Sequence, residues 1–206
     1  IFDFISKQKY PDGNSRSNHG CYNHIRSLSM GIHIFLVYYE KINFPNRIKF
    51  NYEEQFCIIM ATMFVSIGRI KESNENYNGS TFRLNKESLK SFYPHKHKEF
   101  ENYTGYGQYF HQFISSLIYQ TIMKHLLPNQ YNIIEECGFF IQWYFNRIDK
   151  LTEKHKFLHY YIFTPHYIDH FRIRYPNMCN PTPTRFFNWF IKKSDMVKIK
   201  QKIYLK

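Results

Sequence analysis

The sequence contains few cysteines, and their spacing excludes the common small cysteine frameworks. Among 206 residues there are four, Cys21, Cys57, Cys137 and Cys179, with no C-x-x-C pair and no cysteine–histidine spacing typical of a zinc finger. A disulfide framework and a structural zinc site are therefore not expected. Isolated cysteines in apolar surroundings are usually buried thiols, which favours an intracellular, reducing compartment.

Several motifs with known chemistry are also missing. No apolar run reaches the roughly 18 residues that a membrane-spanning helix needs. The patterns G-x-x-x-x-G-K-[ST], G-x-G-x-x-G and G-x-S-x-G do not occur, so a phosphate loop, a dinucleotide site and a serine-hydrolase elbow have no support. Alternating apolar and polar residues never extend beyond a few positions, and no internal repeat is found. These absences leave a helical protein as the expected fold.

Aromatic residues, by contrast, are abundant enough to build a large core. The chain has 21 Phe and 18 Tyr, and 43% of its residues are hydrophobic. Its length suits one domain, because two domains would each be small and poorly buried. We therefore predict a single domain over 1–206, with a motif-bearing core at 15–175 and a basic, proline-punctuated tail at 176–206.

Helical periodicity dominates the chain. Apolar positions recur at steps of three and four between Asn18 and about Lys41, and a second helix, apolar all round, is predicted from about Tyr52 to 68. Further helices are predicted at 84–94, 108–127, 131–151, 166–175 and near 184–193, and 95–107 is interpreted as a charged linker. Thr164 and Pro165 are taken as the start of the helix at 166–175. The expected fold is an all-α bundle of six to eight helices.

The chain is strongly basic, with 28 Lys and Arg against 16 acidic residues and a net charge of +12. Such a surface attracts phosphate-bearing or acidic partners in a salt-sensitive way. A genome with a biased base composition would also explain the excess of lysine, because Ile, Asn, Lys, Tyr and Phe are all abundant. One hypothesis is therefore a non-catalytic basic module that binds nucleic acid or an acidic partner through the run at 192–206.

Three separated polar groups are the candidates for chemistry. They are His19-Gly20 with Arg26, Gly68-Arg69-x-x-Glu72, and His166-x-x-Asp169-x-x-Arg172. Steps of three place the last group along one side of a helix, where the carboxylate of Asp169 can orient the imidazole or the guanidinium. His19 and Arg26 lie two turns apart on one face, whereas His24 is rotated by about 140° from His19 and is not expected to join the same site.

An all-α fold with inward-facing histidines resembles the helical phosphohydrolases. The metal-dependent HD type binds its metals through an adjacent His-Asp pair, but here the pair occurs only in reversed order, as Asp169-His170. A metal-dependent HD-type phosphohydrolase with a degenerate site is kept as an alternative hypothesis.

A closer resemblance is to the phosphodiesterase domain of the SidE family, secreted bacterial effectors that carry out phosphoribosyl-linked ubiquitination. The segments 19-HGCYNHIR-26, 68-GRIKE-72 and 166-HYIDHFR-172 are similar to three family motifs and occur in the same order, over roughly 15–175. The resemblance implies a phosphodiesterase without metal or cofactor that acts on a phosphodiester or an ADP-ribose-linked substrate. ADP-ribosylated or phosphoribosyl-linked ubiquitin, in a host cytoplasm, is the implied substrate.

The resemblance also assigns roles to the candidate residues. His19 would attack phosphorus or activate the attacking group, and His166 would protonate the leaving oxygen. Glu72, with Glu75 as the competing choice, would orient a histidine. The phosphate would be bound by Arg26, Arg69 and Arg172. Asn23 stands where the family has a second histidine. Because an amide transfers no proton, Asn23 is assigned an orienting role. Asp169 is also assigned an orienting role.

Overall fold

Seven α-helices account for most of the residues that the computed structural model describes, which are 21–41, 48–68, 81–82, 84–103, 108–142 and 150–174. The chain divides into two compact units, 1–169 and 170–206. Of the second unit, only 170–174, the last residues of a helix, are described. The single-domain interpretation stays a prediction, and the tail at 176–206 lies outside the described ranges.

The predicted all-α bundle is confirmed. The helices are α1 (Cys21–Lys41), α2 (Tyr52–Phe64), α3 (Lys86–Phe92), α4 (His97–Phe100), α5 (Phe110–Leu126), α6 (Tyr131–Gln142) and α7 (Glu153–Arg174). A 3₁₀ turn, Glu101–Tyr103, follows α4. Strands β1 (Thr81–Phe82) and β2 (Gln108–Tyr109) form one two-residue antiparallel pair, with Thr81 opposite Tyr109.

Asparagine side chains start two of the helices. The Asn51 side chain accepts a bond from the Glu54 backbone N–H at 2.8 Å, and the Glu54 carboxylate accepts one from the Asn51 N–H at 2.9 Å. This reciprocal pair satisfies two of the N–H groups that a helix leaves without an internal partner. The Asn85 side chain caps α3 by accepting a single bond from the Ser88 N–H. The predicted start of the second helix near Tyr52 is confirmed.

Helix α2 is the centre of the core, as its apolar composition predicted. It packs against α1, α5 and α6, and its Cys57, Ile58 and Phe64 are fully buried. Cys57 is a free buried thiol, as is Cys137. Burial, with smaller contributions from nearby carboxylates, raises the pKa of Cys57 to about 12, so this thiol is unreactive.

The interpretation of 95–107 as a charged linker is wrong in its first half. Residues 97–103 form α4 and the 3₁₀ turn, because two aromatic side chains in this segment turn inward. The Phe100 ring stacks on Phe139 of α6 at 3.9 Å between centroids, and Tyr103 is also buried. The charged residues just before Phe100 are exposed, as Lys98 is, or form ion pairs, as Lys96 and Glu99 do, so composition alone concealed a packed element.

The predicted helix start at Pro165 is also wrong. Helix α7 begins at Glu153, where the Thr152 hydroxyl accepts a bond from the His155 N–H, and it continues through Pro165 to Arg174. A proline inside a helix removes one backbone hydrogen bond and costs about 3 kcal/mol. Apolar packing on both sides of it, by the buried Ile162 and by Tyr167 against the core, offsets that cost. Within the described part of the chain, no helix is long and apolar enough to cross a membrane.

Candidate functional site

The structure describes the side chains of three of the predicted site residues, Arg26, His166 and Asp169. Residues His19, Arg69, Glu72 and Glu75 lie outside the described ranges, and Asn23 and Arg172 are described only as helical backbone. The roles predicted for these six residues stay predictions.

Arg26 on α1 and Asp169 on α7 form a two-pronged ion pair. The arginine donates from Nε to Oδ1 at 2.6 Å and from Nη2 to Oδ2 at 3.0 Å, so two parallel bonds join the planar groups. The Asp169 carboxylate is completely buried, whereas the Arg26 side chain keeps 28% of its surface exposed. The pair therefore links the first and third sequence motifs across 143 residues of chain.

This pairing was not foreseen from the sequence. Asp169 was predicted to orient His166 or Arg172, and Arg26 was predicted to bind phosphate. Arg26 is a described partner of Asp169, so the carboxylate holds a guanidinium that comes from another helix. The predicted orienting of His166 or Arg172 by Asp169 stays a prediction. Because Nε and Nη2 are engaged, the Nη1 side of Arg26 is the part left to face an anion.

Ser66, at the exit of α2, contacts His166 of the third motif. Its hydroxyl oxygen lies 3.3 Å from Nδ1 and 3.3 Å from Nε2 of His166. Ser66 is buried, whereas His166 is half-buried. Sequence reasoning missed this serine, and its only signal was its place two residues before the Gly68-Arg69 pair.

His24 lies at the same end of α2. Its Nδ1–H donates to the carbonyl of Met63 at 2.7 Å, and the ring is buried. That carbonyl is one of the last four of α2, which have no partner within the helix. His24 was set aside because it points away from the face of His19. The structure gives it a defined role, which is to hold α1 against the last turn of α2.

The turn that carries Ser66 is anchored on its other side by Gly68. The Gly68 N–H donates to the Ser115 hydroxyl of α5 at 2.9 Å. A Cβ atom at Gly68 would lie 2.0 Å from the carbonyl oxygen of His111, a distance that no real side chain tolerates. Glycine is thus required here because the turn contacts the backbone of α5 directly.

The described residues of the first and third motifs therefore meet, and the exit of α2, two residues before the second motif, contacts the third. His166 and Asp169 are neighbours one turn apart on α7, about 5–6 Å between their Cβ atoms. Through them, α7 contacts both Arg26 of α1 and Ser66 at the exit of α2. An imidazole that can transfer a proton thus lies near a guanidinium that can attract an anion.

A second polar cluster joins α4, α6 and α7. Ligand atoms of Glu99, Glu136 and His155 all lie within 4.8 Å of one another, a donor set that suits Zn²⁺ or Fe²⁺. Two ammonium groups are already present, however. Lys96 lies 2.8 Å from one Glu136 oxygen, and Lys154 lies 2.7 Å from the other.

The charges of this cluster balance without an ion. Burial, reinforced by the two lysines and only partly opposed by the carboxylates, lowers the pKa of His155, so the imidazole is neutral near pH 7. Burial alone would lower the pKa of Lys96, but its ion pairs with Glu136 and Glu99 outweigh that effect and raise it. Two carboxylates therefore face two ammonium groups, and a metal ion would have to displace an ammonium group. The cluster fits a structural ion network.

Comparison with protein-family models, with curated proteins and with solved structures found no match for this chain. The fold class is therefore the all-α bundle described above, and function has to be argued from the site itself.

Proposed function

We propose that the protein is a metal-independent phosphodiesterase that uses histidine chemistry on a phosphodiester or an ADP-ribose-linked substrate. The observation that carries the proposal is that the first and third motifs meet through the Arg26–Asp169 pair, while the exit of α2, just before the second motif, meets α7 through the Ser66–His166 contact. An accidental surface stripe on α7 would give no reason for a buried aspartate to select an arginine from another motif.

The proposed chemistry needs three kinds of group. His19 attacks phosphorus or activates the attacking water, and His166 gives its proton to the leaving oxygen as the phosphorus–oxygen bond breaks. Arg26 faces the phosphate with its Nη1 side, with Arg69 and Arg172 as the further cationic groups. Glu72 orients a histidine, and Asn23 has an orienting role. Asp169 acts on the site by fixing Arg26.

The proposed substrate is ADP-ribosylated or phosphoribosyl-linked ubiquitin, met in the reducing cytoplasm of a host cell. The positive charge of the chain suits an anionic substrate. Metal-dependent HD-type hydrolysis is the less favoured candidate. In the described part of the chain, the one group of three possible metal ligands is the cluster at Glu99, which lysines already neutralise.

The test compares wild type with His166→Ala on ADP-ribosylated ubiquitin and on bis(p-nitrophenyl) phosphate, with and without EDTA. Removing the acid should lower kcat at least 100-fold, because one acid–base group contributes about 10²- to 10⁴-fold. EDTA should leave the wild-type rate unchanged.

A matched control is His125→Ala. His125 is exposed at the end of α5, and the adjoining turn contacts Glu53 at the start of α2, the opposite end of α2 from Ser66. Its loss should leave kcat unchanged. Turnover abolished by EDTA would favour the metal-dependent alternative, and turnover retained by His166→Ala would refute the assigned acid. No turnover of any substrate by wild type would favour the non-catalytic basic module, to be tested by binding to RNA.

A further inference from the structure

An exposed histidine, His95, lies in the turn between α3 and α4 with a buried carboxylate behind it. Its backbone N–H donates to Oε2 of Glu135 at 2.9 Å, and its ring Nδ1 lies 3.0 Å from Oε1 of the same carboxylate. We propose that this His95–Glu135 dyad is a nucleophilic site, at which Nε2 of His95 accepts a phosphoryl group from a phosphoramidate donor. The dyad shares no residue with the proposed phosphodiesterase site and does not rest on that function.

The carboxylate fixes the tautomer of the His95 ring. An ionised carboxylate only accepts hydrogen bonds, so the proton between the two groups belongs to Nδ1 and the lone pair of the neutral ring is on Nε2. The side chain of His95 is 48% exposed, whereas that of Glu135 is completely buried. In the described part of the chain, Nε2 has no hydrogen-bond partner. A nucleophilic lone pair is therefore held in one place and is open to solvent.

The orientation of the ring is fixed by the first turn of α6. Tyr131 and Glu135 are four residues apart and therefore lie on one face of that helix. The Tyr131 ring stacks on the imidazole, with 5.0 Å between centroids and 13° between planes. Lys124 of α5 donates to Oε1 of Glu135 at 3.1 Å and compensates the buried charge. The imidazole is thus held by one edge and one face, which is the preorganisation that a reactive group requires.

The same arrangement suits the charge that develops during phosphoryl transfer. The Nε2 lone pair forms a bond to phosphorus while the bond from phosphorus to the nitrogen of the donor breaks. In zwitterionic phosphoramidate that nitrogen already carries three protons, so ammonia leaves with the electron pair of the broken bond. The ring then has a proton on Nδ1 and the phosphoryl group on Nε2, and is positively charged. The Glu135 carboxylate stabilises that charge by accepting from Nδ1–H.

The surface around the dyad favours an anionic donor. Residues 95–98 comprise two histidines and two lysines, and Lys98 is exposed. Glu135 and Glu136, behind this turn, are buried and paired with lysines. An exposed nucleophile among positive charges attracts a phosphate-bearing molecule.

The test is incubation of the full chain with potassium phosphoramidate. Fragmentation mass spectrometry locates the phosphoryl group along the chain, and ³¹P NMR identifies the ring nitrogen that carries it. His97 is a matched internal control, because its Nδ1–H donates to the neutral carbonyl of Pro94 at 3.1 Å in place of a carboxylate. The exposed His125 is the control for exposure.

We expect Nε2 of His95 to be modified at least about fivefold faster than His97 or His125, since a hydrogen bond to a charged acceptor is worth more than one to a neutral acceptor. His95→Gln should remove this signal. Glu135→Gln keeps the size of the side chain and removes the charge, so it should lower the rate at His95 to about that of His97.

Two results would overturn the proposal within wild type alone, so the test holds even if Glu135→Gln does not fold. They are equal rates at His95 and His97, and a phosphoryl group on Nδ1 of His95. A folded Glu135→Gln variant that is modified at the wild-type rate would also overturn it. The outcome is separate from the phosphodiesterase assay, because modification of His95 requires no turnover of a phosphodiester.

Discussion

The Asp169 carboxylate is a charged group without solvent contact, so its environment has to compensate its desolvation. Arg26 does so with two directed bonds and retains partial exposure. Such a pair adds little net stability relative to apolar residues of the same shape. Removing Arg26 alone is costly, however, because the buried carboxylate then loses two directed bonds to a charged group. The contribution of the pair is therefore that it links α1 and α7, and not that it adds net stability.

At this residue scale, Arg26→Met should lower the free energy of unfolding by about 3 kcal/mol, because the buried Asp169 carboxylate loses both bonds from the guanidinium. The double variant Arg26→Met with Asp169→Leu should recover most of that loss, since both charges are gone. Urea unfolding of wild type, both single variants and the double variant gives the coupling energy. If the two single effects simply add, the pair does not act as described.

At the element scale, the position of the α2 exit depends on the missing side chain of Gly68. Its Cα approaches the α5 backbone so closely that an added Cβ would lie 2.0 Å from a carbonyl oxygen and 2.7 Å from the Ser115 nitrogen. Backbone atoms cannot move aside as a side chain can. The whole turn, including Ser66, would have to shift away from α5, and the contact of Ser66 with His166 would change.

We expect Gly68→Ala to lower the free energy of unfolding by about 3 kcal/mol, at the upper end of the usual cost of overpacking. The control is Gly138→Ala on α6, where the three atoms nearest to the added Cβ all belong to the Gln120 side chain. Gln120 is buried and bonded to Ser116, but a side chain can shift where a backbone cannot, so this variant should cost less, about 1–2 kcal/mol. Chemical denaturation compares the two. Equal losses would mean that Gly68 does not contact the α5 backbone.

At the scale of the whole molecule, acid stability should depend on buried histidines. Burial lowers the pKa of His159 from 6.5 to about 4. Below pH 6.5 the unfolded chain therefore takes up a proton that the folded chain accepts only below about pH 4. Stability is then complete above pH 6.5 and decreases as the pH falls toward 4, by about 3 kcal/mol for this one group.

The variant His159→Phe keeps an aromatic ring beside Phe140 and Phe163 and removes the titration. Its free energy of unfolding should change less steeply with pH between 6.5 and 4 than that of wild type, by the equivalent of about one proton. Urea unfolding at several pH values measures the slope. The same substitution at the exposed His33 is the control and should keep the wild-type slope. Parallel curves for wild type and His159→Phe would contradict the prediction.

Local patterns were sufficient for most of the helices and insufficient for the site. Capping residues and apolar periodicity predicted the start of α2 near Tyr52 and the end of α1 at Lys41. They failed at Pro165, where packing on both sides of the proline overrode its local preference. They also missed Ser66, because serine is too common in turns for its type alone to mark a function.

The sequence was enough to establish the helical class of the fold and the apolar character of α2, because both depend on contacts between residues close in the chain. The pairing of Arg26 with Asp169 and of Ser66 with His166 required the folded chain, since 143 and 100 residues separate the partners. Several residues offered compatible charge or hydrogen-bonding groups for these partners. Which of them meet is decided by the packing of α1, α2 and α7 against one another, a global property that local patterns do not contain.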